Sequence, residues 1–525
     1  MFKKKLIIVC VFIVSIVNLA ILSNSIMAKD FYQDKPLTIY HAFPSKYMRW
    51  DEHLGFVITY STGDGNHYYN NNYLKELTDK IDDLKGQGYD AIQILPPQAS
   101  KDDYEMSVDI ETGKPVNQSC YAERNDPSSY ACKEWYKRYQ PYDFSRIAGI
   151  GNYNDLQKLC AKAGDDTMII ADLVFNHMMT VAKHIDFKNA YKDCYNNNSE
   201  ECLEKINKMN NLLNKFPNFS YNDFRIDPYC RTLQQDYQEN QDRVSNCWSG
   251  VGIPYDENGH PLPEDKWGEP WTELKTEKDT VRKVHTDYLD MLISAGVRGF
   301  RFDAIKHMKP DDYRYYVDYI HNKVPDAWIY GEVNDANLGI VYKYSGISSM
   351  GDVKLLQTVE SAMKDGELKN LRVLDHPSDP YGHGYIPDNS SVTFARNHDV
   401  KDVYGSSDLL PLAWAYILSR QGGTPLVLSW DSNNSIVKNA VKFRQIMSER
   451  HAGKEFYLFG NYISNLDDKN FLFLTRGAEG FAMINKADHW YKSKDNDFTL
   501  TTLEGCYENV DDTDLPPFRF QFLTW

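Results

Sequence analysis

Four segments of the chain carry side chains that can transfer protons or attack a substrate. In each segment an aspartate, glutamate, histidine or asparagine follows a short apolar run that is typical of a β-strand. The four segments are residues 172–177 (DLVFNH), 299–307 (GFRFDAIKH), 330–333 (YGEV) and 394–399 (FARNHD). Any one of them could be a strand-end cap or a hydrogen-bonded structural group. Together, carboxylates and histidines at strand ends predict acid–base or nucleophilic catalysis.

The segment GFRFDAIKH combines a permanent positive charge with a carboxyl group. Side chains alternate along a strand, so we expect Arg301 and Asp303 on the same face. A guanidinium lowers the pKa of a neighbouring carboxyl, and Asp303 should therefore stay ionised near neutral pH, as a carboxylate nucleophile must. The alternative is a structural ion pair, because such pairs also shift pKa values.

The order of the predicted elements indicates how these segments are brought together. Apolar strands alternate with amphipathic helices, which favours a parallel sheet. The predicted strands are 37–43, 90–96, 167–175, 299–303, 328–333, 348–353, 391–395 and 424–429, and the predicted helices are 73–85, 153–162, 279–295, 311–322, 409–420 and 436–448. Eight strands predict an α/β fold, a (β/α)8 TIM barrel with catalytic groups at the C-terminal ends of its strands. The sixth strand is the least defined.

Breaks in the alternation predict the domain boundaries. We expect the barrel domain at residues 29–176 and 276–450, an inserted domain at 177–275 and a small β domain at 451–525. The inserted stretch is too long and irregular for a loop. A chain of 525 residues is long enough for one large barrel and two smaller units.

The N-terminus and the net charge predict the location and exclude one class of partner. Three lysines at positions 3–5, an apolar run at 6–22 and small residues up to Ala28 resemble a secretory signal peptide, residues 1–28. An uncleaved anchor is the alternative. A net charge of −16 disfavours nucleic acid as a partner. We expect a secreted or periplasmic monomer that has no membrane contact after signal cleavage.

Eight cysteines follow the predicted signal segment, and an even number in an exported chain favours disulfides. Their spacing lacks the short-spaced sets flanked by histidine that a zinc site would need. The neighbouring pairs that could form bridges are Cys120/Cys132, Cys194/Cys202 and Cys230/Cys247.

Several longer stretches resemble glycoside hydrolase family 13, the α-amylase family, and its animal-type branch in particular. They are residues 134–144 (EWYKRYQPYDF), 296–308 (GVRGFRFDAIKHM) and 476–485 (RGAEGFAMIN), and the similarity covers nearly everything after residue 37. The resemblance implies a catalytic TIM barrel, a B domain inserted after strand 3 and a C-terminal antiparallel β-sandwich. It also implies a secreted, endo-acting α-amylase that hydrolyses internal α-1,4-glucosidic bonds of starch or glycogen-type glucans with retention of configuration.

The resemblance assigns roles to three carboxyl groups. Asp303 would be the nucleophile, Glu332 the general acid/base and Asp399 a third carboxylate that helps to bind the distorted sugar. In a retaining glycosidase two carboxyl groups lie about 5 Å apart, and one forms a glycosyl-enzyme while the other donates and later accepts a proton. Glu332 must therefore start protonated, and we expect its negative neighbours to raise its pKa.

Further residues match positions that bind the sugar in this family. His177 and His398 would hydrogen-bond its hydroxyls, and Arg301 would orient Asp303. Aromatic rings suit the apolar faces of glucose units. The remaining residues expected to bind substrate are Trp135, Tyr136, Tyr139, Gln140, Asp172, Lys306 and His307.

The resemblance also implies a structural calcium ion, Ca²⁺. Asn176 and the backbone carbonyl of His307 match two of its ligands, and oxygen ligands from separate segments suit a hard cation. Asn246 stands where animal-type enzymes carry an aspartate, so we expect weaker calcium binding. The resemblance pairs Cys230 with Cys247.

Two departures from the animal-type pattern concern chloride and a loop. Animal-type enzymes hold an activating chloride between an arginine, an asparagine and a basic residue on strand eight. Arg301 and Asn397 are present, but Pro425 takes the third position, so we predict that chloride is not required. The family's Gly-rich loop is replaced by NHDVKDVYGSSD at 397–408, which leaves the preferred substrate length open.

Two alternatives stay open on the sequence. A maltooligosaccharide-forming exo-amylase or a transglycosylase of the same family would use the same carboxylates. A non-catalytic glucan-binding relative would be expected to lose catalytic carboxylates, and all three are present here.

Overall fold

The structure is a computed structural model that describes a large part of the chain. The described residues are 37–43, 59–61, 67–69, 73–100, 138–179, 199–225, 272–375, 386–399, 404, 406, 408–450, 455–458, 469–476, 480–488, 501–502, 505–506 and 519–524. Side-chain surroundings are described for most of these.

The described residues form twenty-one strands, several of them very short, and ten α-helices. In chain order the strands are β1 (Ile39–His41), β2 (Thr59–Ser61), β3 (His67–Tyr69), β4 (Ala91–Ile94), β5 (Gln98–Ser100), β6 (Pro141–Ile147), β7 (Met168–Leu173), β8 (His177–Met178), β9 (Phe224–Arg225), β10 (Thr272–Leu274), β11 (Gly299–Phe302), β12 (Trp328–Gly331), β13 (Ser349–Gly351), β14 (Ser391–Thr393), β15 (Thr424–Leu428), β16 (Glu455–Leu458), β17 (Phe471–Arg476), β18 (Gly480–Asn485), β19 (Thr501–Thr502), β20 (Gly505–Cys506) and β21 (Arg519–Thr524). The helices are α1 (Tyr73–Gln87), α2 (Tyr153–Ala163), α3 (Glu200–Leu213), α4 (Asp279–Ser294), α5 (Pro310–Lys323), α6 (Leu338–Ser345), α7 (Val353–Lys364), α8 (Leu409–Ser419), α9 (Ser429–Ser432) and α10 (Ser435–Glu449).

Eight strands close into a parallel barrel, as the alternation of strands and helices predicted. Around the barrel the order is β1-β15-β14-β13-β12-β11-β7-β4, and β1 pairs with both β15 and β4. All eight pairings are parallel. The strand-6 position is occupied by β13, which has three residues. The predicted (β/α)8 TIM barrel is confirmed.

The helices around the barrel are set by capping and by apolar faces. Asn152 caps α2 by accepting hydrogen bonds from the backbone N–H groups of Asn154 and Asp155, at 2.9 and 3.2 Å. Such a cap satisfies donors that the first turn of a helix leaves unpaired. Helix α8 is buried along its whole length except for Leu409, because it lies between α10 and the C-terminal sheet. An all-round apolar helix needs such a position.

Helices α6 and α7 follow the fifth and sixth barrel strands and were not predicted from the sequence. Helix α7 buries one face, formed by Leu355, Leu356, Val359, Ala362 and Met363. This spacing follows the 3.6-residue period of a helix, so the signal was present in the sequence. The weak sixth strand hid it, since a three-residue strand gives too short an apolar run to place the following helix.

The region predicted as an inserted domain contains a helix and a small sheet. In the described part, α3 is followed by β9, and the antiparallel sheet has the order β8-β10-β9. Asp223 accepts hydrogen bonds from Lys278 Nζ at 2.6 Å and from Thr280 Oγ1 at 2.7 Å. These contacts attach the region to the start of α4. The exact domain boundaries stay a prediction.

The C-terminal part forms an antiparallel sheet of the order β16-β17-β18-β21, together with a two-stranded ladder, β19-β20. Two basic side chains of this sheet reach helices of the barrel. Lys486 Nζ donates to the carbonyls of Ala362 and Gly366, both at 2.7 Å, at the end of α7. Arg476 Nη1 donates to the carbonyl of Ser419 at 3.1 Å, at the end of α8.

The cysteine and membrane predictions are only partly covered by the described residues. Cys160 is a free, buried thiol. Cys202 is buried on α3, but its predicted partner Cys194 lies outside the described residues, as do both members of the other two predicted pairs. The predicted signal segment also lies outside them. Within the described residues no helix combines the length and apolar character needed to cross a membrane.

Candidate active site

Four barrel strands deliver the predicted site residues to one end of the barrel. Asp172 lies on β7 and Arg301 on β11, and these two residues are Cα partners across the parallel pairing. Asp303 directly follows β11, Glu332 directly follows β12, and Asp399 lies six residues beyond β14. Because parallel strands end on the same side of a barrel, these groups converge.

Arg301 is the centre of the site. Its Nη1 donates to both carboxylate oxygens of Asp172 at 2.6 Å and to Asp303 Oδ1 at 3.0 Å, while its Nη2 lies 2.8 Å from Glu332 Oε2. Only 4% of the Arg301 side chain is exposed, so these ion pairs are shielded from water. One buried guanidinium therefore holds three carboxyl groups in place, as a planar five-donor group can.

Glu332 is held from a second side by the turn that follows Asp303. The backbone N–H of Ala304 donates to Glu332 Oε2 at 3.1 Å. Ala304 has a φ of 51°, a left-handed conformation that non-glycine residues adopt at a cost and mostly at functional sites. Gly331, next to Glu332, faces this turn, since a Cβ there would lie 2.3 Å from Ile305 Cδ1.

The distribution of protons in this cluster differs from the prediction. Burial raises the pKa of Asp303 well above its usual range, although Arg301 opposes the shift. Burial would also raise the pKa of Glu332, but Arg301, His398 and the Ala304 N–H together lower it to about 2. Both pKa directions are opposite to the expected ones, because Glu332 has an Arg301 nitrogen to itself whereas Asp303 shares one with Asp172.

The cluster as a whole still retains protons near neutral pH. Burial, together with the neighbouring Glu332 carboxylate, raises the pKa of Asp399 to about 8, although 29% of its side chain is exposed. Burial raises the pKa of Asp172 to about 6. Glu332 shares side-chain hydrogen bonds with Asp303 and with Asp399. Four carboxyl groups beside one guanidinium titrate as a unit, and a proton on either neighbour is one hydrogen bond from Glu332.

The predicted sugar-binding histidines are both buried at the site. His177 Nε2 lies 2.8 Å from the Tyr139 carbonyl oxygen, and the Tyr139 hydroxyl donates to Asp172 at 2.8 Å. The His398 ring lies between the rings of Tyr139 and Phe43, at centroid distances of 5.2 and 4.4 Å. Burial lowers the pKa of His177 to about 4 and that of His398 to about 3, so both are neutral at pH 7.

Asp399 is placed by its own neighbours. His398 Nε2 lies 3.3 Å from Asp399 Oδ2, and the Asp399 backbone N–H donates to Asn397 Oδ1 at 3.0 Å. Other predicted substrate residues lie around this centre: Gln140 is buried beside Tyr139, and Lys306 and His307 are partly buried in the turn after Asp303. Trp135 and Tyr136 lie outside the described residues.

Two residues of the first barrel strand and its loop contribute to the site but were not predicted from the sequence. His41 ends β1 and lines a cavity of about 380 Å³, including its open mouth, together with Arg301, Glu332, Asn397 and His398. Phe43 stacks on His398. A signal was available, because LTIYHAF carries a histidine near the end of an apolar run, as DLVFNH at residues 172–177 does.

The calcium and chloride predictions are covered only in part. The side-chain oxygen of Asn176 makes no hydrogen bond within the described part of the chain, and its buried Nδ2 has no partner there, so the amide is available as an oxygen ligand. Asn246 lies outside the described residues, which hold no group of three or more histidine, cysteine or acidic side chains suited to a metal. Pro425 lies on β15, opposite Thr393.

Comparison with known proteins gives a family. The model of the alpha-amylase catalytic domain matches residues 57–346, more than half of the chain. The chain is 23% identical to an alpha-amylase of Clostridium acetobutylicum over 463 residues, 84% of this chain and 49% of that protein. It is 26% identical to an alpha-amylase of Aeromonas hydrophila over 467 residues, 81% of this chain and 84% of that protein.

The fold agrees with solved structures. The cyclic alpha-maltosyl-(1→6)-maltose hydrolase of Arthrobacter globiformis superposes with a TM-score of 0.54 at 13% identity, over 95% of this chain and 98% of that one. The chain spans about half the length of the Clostridium relative, and about half that of the pancreatic alpha-amylases that also match. The predicted resemblance is confirmed: the chain belongs to the alpha-amylase family, glycoside hydrolase family 13.

Proposed function

We propose that this protein is an endo-acting α-amylase that hydrolyses internal α-1,4-glucosidic bonds of starch or glycogen-type glucans with retention of configuration. The observation that carries the proposal is the shared contact of Asp303 and Glu332 with Arg301 at the ends of adjacent barrel strands. Family membership and the alpha-amylase relatives support the substrate class.

The closeness of the two carboxyl groups favours retention. Glu332 and Asp303 are within hydrogen-bonding reach of each other. Retaining glycosidases place their carboxyl groups about 5 Å apart, whereas inverting enzymes need roughly 6.5–9.5 Å to admit a water molecule between carboxyl and sugar. The closeness of the pair therefore supports retention.

The reaction would then run in two steps. In the first, an Asp303 oxygen attacks C1 of the sugar, the bond from C1 to the glycosidic oxygen breaks, and Glu332 gives its proton to that oxygen. In the second, water attacks C1, releases Asp303, and passes a proton to Glu332. Because Glu332 is hydrogen-bonded to Asp303 and Asp399, the proton that it donates is drawn from the cluster that these carboxyl groups share.

The surrounding groups would bind the sugar before and during cleavage. The Nε2–H of neutral His177 donates to the Tyr139 carbonyl, so its Nδ1 can accept a hydrogen bond from a sugar hydroxyl, while neutral His398 has one donor and one acceptor nitrogen. Asp399, the most exposed of the cluster carboxyls, would contact the distorted ring, and Tyr139 would offer its flat face. Lys306 and His307, in the turn after Asp303, would contact the adjoining sugar unit.

An Asp303→Asn variant tests the nucleophile. We expect starch hydrolysis to fall by roughly 10⁴-fold or more, as it does when a nucleophile is lost. The anomeric form of the first product, followed by NMR, should be α for the wild-type protein. Unchanged hydrolysis by the variant, or a β product from the wild type, would overturn the proposal.

The time course of products from soluble starch separates the alternatives. Early release of long and mixed maltooligosaccharides supports internal cleavage, whereas one short product from the start indicates an exo-amylase. New, longer glucans indicate a transglycosylase. A protein that binds glucan without releasing any product would be the non-catalytic relative, and this outcome would refute the proposed activity.

We also propose a calcium ion bound by Asn176, the His307 carbonyl and Asn246, which would tie the inserted region to the barrel. An amide supplies less charge than a carboxylate, so binding should be weak. Calcium titration of the chelated protein tests this, and tight binding would contradict it. Chloride should not be required, because Pro425 supplies no cation; large activation by chloride would refute this.

We propose export through the N-terminal segment, with cleavage after Ala28, followed by action as a monomer. N-terminal sequencing of the protein recovered outside the cell tests the cleavage site. A mature protein that still begins at residue 1 would support the anchor instead.

A further inference from the structure

The short helix α9 lies beside the segment that carries His398 and Asp399. Its residue Asp431 accepts two hydrogen bonds from Arg396, from Nε at 2.9 Å and from Nη2 at 2.5 Å. It also accepts the indole N–H of the fully buried Trp414 at 2.8 Å. Asp431 and Arg396 are 7% and 17% exposed, so this two-bond ion pair is largely shielded from water.

Helix α9 also contacts Phe43, the residue whose ring stacks on His398. Ser429 Oγ and Trp430 Nε1 both donate to the backbone carbonyl of Phe43, the latter at 3.1 Å. The Phe43 ring stacks on the His398 ring at a centroid distance of 4.4 Å and an interplanar angle of 17°. Ser429, Trp430 and Asp431 are consecutive in α9. Together they contact Arg396, two residues before His398, and Phe43, on whose ring His398 stacks. We call these three residues the clasp.

We propose that the clasp is a positioning device that fixes His398, and through it Asp399, against the sugar being cleaved. The ion pair anchors Arg396, two residues before His398, and the bonds to Phe43 fix the ring on which His398 stacks. None of these hydrogen bonds involves Asp303, Glu332 or Asp399 directly, so we expect the clasp to act through Arg396 and Phe43. The expected loss of kcat rests on the proposed function, whereas the expected displacement of His398 does not.

The physical reason is the position of His398 and Asp399 beyond the end of their strand. Strand β14 ends at Thr393, so neither residue is held by the hydrogen bonds of the barrel. Catalysis is sensitive to displacements of about 1 Å, which cost about 10²-fold in rate. A loop that carries catalytic groups therefore needs fixed contacts on both sides, and the clasp supplies both.

An Asp431→Asn variant tests the ion pair. The amide keeps the size of the side chain but cannot accept both Arg396 bonds. We expect kcat on a short maltooligosaccharide to fall roughly 10- to 100-fold with little change in KM. The conservative Asp431→Glu variant should retain most of the rate. Trp430→Phe, which removes the indole N–H bond to the Phe43 carbonyl but keeps an aromatic ring, should give a smaller loss of kcat.

The Arg420–Asp388 pair provides the matched control. Arg420 Nη2 donates to Asp388 Oδ1 at 3.1 Å near the start of β14, at the opposite end of the strand from the site. Asp388→Asn should leave kcat unchanged. Equal losses in Asp388→Asn and Asp431→Asn would show a general effect on folding and overturn the proposal, as would an Asp431→Asn variant with wild-type kcat.

Crystal structures of the wild type and the Asp431→Asn variant give a reading that does not depend on activity. We expect His398 to leave its stacked position on Phe43 in the variant. An undisturbed His398 would overturn the proposal even if kcat fell. If the wild type hydrolyses no α-glucan, the proposed function fails, and the crystal structures still decide whether the clasp holds His398.

Discussion

At the scale of single residues, Arg301 decides where charge and protons reside in the site. It contacts Asp172, Asp303 and Glu332, and within the described part of the chain it is the cation that all three share. Like charges this close cannot all ionise, so protons must remain on part of the cluster. The proton required for bond cleavage is therefore held by the cluster of carboxyl groups as a whole.

The pH dependence of the rate should reveal this stored proton. Burial and the Glu332 carboxylate raise the pKa of Asp399 to about 8. A raised pKa means that the proton is present below that pH and is lost above it, so kcat/KM should fall as the pH rises through about 8. Steady-state rates between pH 5 and 10 test this. A flat profile up to pH 10 would show that the cluster does not supply the proton.

Gly331 should be irreplaceable because it lies against the turn that positions Glu332. In Gly331→Ala the new Cβ would lie 2.3 Å from Ile305 Cδ1, and we expect a loss of about 1–3 kcal/mol in unfolding free energy together with reduced kcat. Denaturant unfolding and steady-state kinetics measure both effects. Adding Ile305→Val removes Cδ1 and should restore part of the loss.

Gly351, on the neighbouring barrel strand β13, is the control for this prediction. A Cβ at Gly351 would lie 3.6 Å from Phe394, which is an ordinary contact. Gly351→Ala should therefore be nearly neutral. If both alanine variants behave alike, the contact between Gly331 and Ile305 is not what constrains this strand end.

At the scale of elements, the buried face of α4 carries a histidine that is neutral near pH 7. His285 is fully buried, its ring stacks on Phe175 at a centroid distance of 4.0 Å, and its Nδ1 lies 2.8 Å from the Tyr316 hydroxyl. Burial lowers its pKa from 6.5 to about 3. The packing between α4, α5 and β7 therefore requires the neutral form.

Acid should weaken this packing. A pKa lowered in the folded state contributes stability above pH 6.5, and that contribution is lost as the pH falls from 6.5 towards 3. Between pH 7 and pH 4.5 we expect roughly 2–3 kcal/mol of lost unfolding free energy to come from His285. Denaturant unfolding at the two pH values, in the wild type and in His285→Phe, measures it.

Tyr316→Phe is the control for the acid effect. It removes the hydrogen bond to His285 but leaves the titrating ring, so it should lower stability similarly at both pH values and preserve the difference between them. If the difference in unfolding free energy between pH 7 and pH 4.5 is unchanged in His285→Phe, groups other than His285 cause the acid sensitivity.

Much of the barrel could be predicted from sequence, because apolar runs and helical periods are local signals. The predicted runs that became β7, β11 and β12 carry Asp172, Asp303 and Glu332 at or near their C-terminal ends, so the strand ends that carry the carboxylates were visible. The partners of Arg301 were not, since they depend on how barrel closure orients strands far apart in sequence. The left-handed Ala304 and the clasp had no local pattern at all.

At the scale of the whole molecule, the C-terminal sheet supports the barrel through buried charges. The Lys486 ammonium caps the C-terminal end of α7 by donating to the carbonyls of Ala362, Met363 and Gly366. A cation at a helix C-terminus is favoured by the helix dipole and satisfies carbonyls that lack partners. The sheet is therefore part of the structure that the barrel needs.

A Lys486→Met variant should destabilise the protein. Removing the ammonium leaves buried carbonyls without partners, and we expect a loss of about 2 kcal/mol or more in unfolding free energy. Lys469→Met is the matched control, because Lys469 is 64% exposed and its ion pair with Glu367 contributes little. Denaturant unfolding of both variants decides, and equal effects would contradict a capping role for Lys486.

The seam of the barrel sets the order in which the molecule can be completed. Strands β1 and β15 pair directly, and the clasp bond from Ser429 to Phe43 joins residues 386 positions apart. Most of the chain must therefore be synthesised before β1 can pair with β15, one of its two neighbours in the barrel. Contacts of such long range slow folding and leave strand edges exposed meanwhile, so the growing chain should depend on chaperones until α9 emerges.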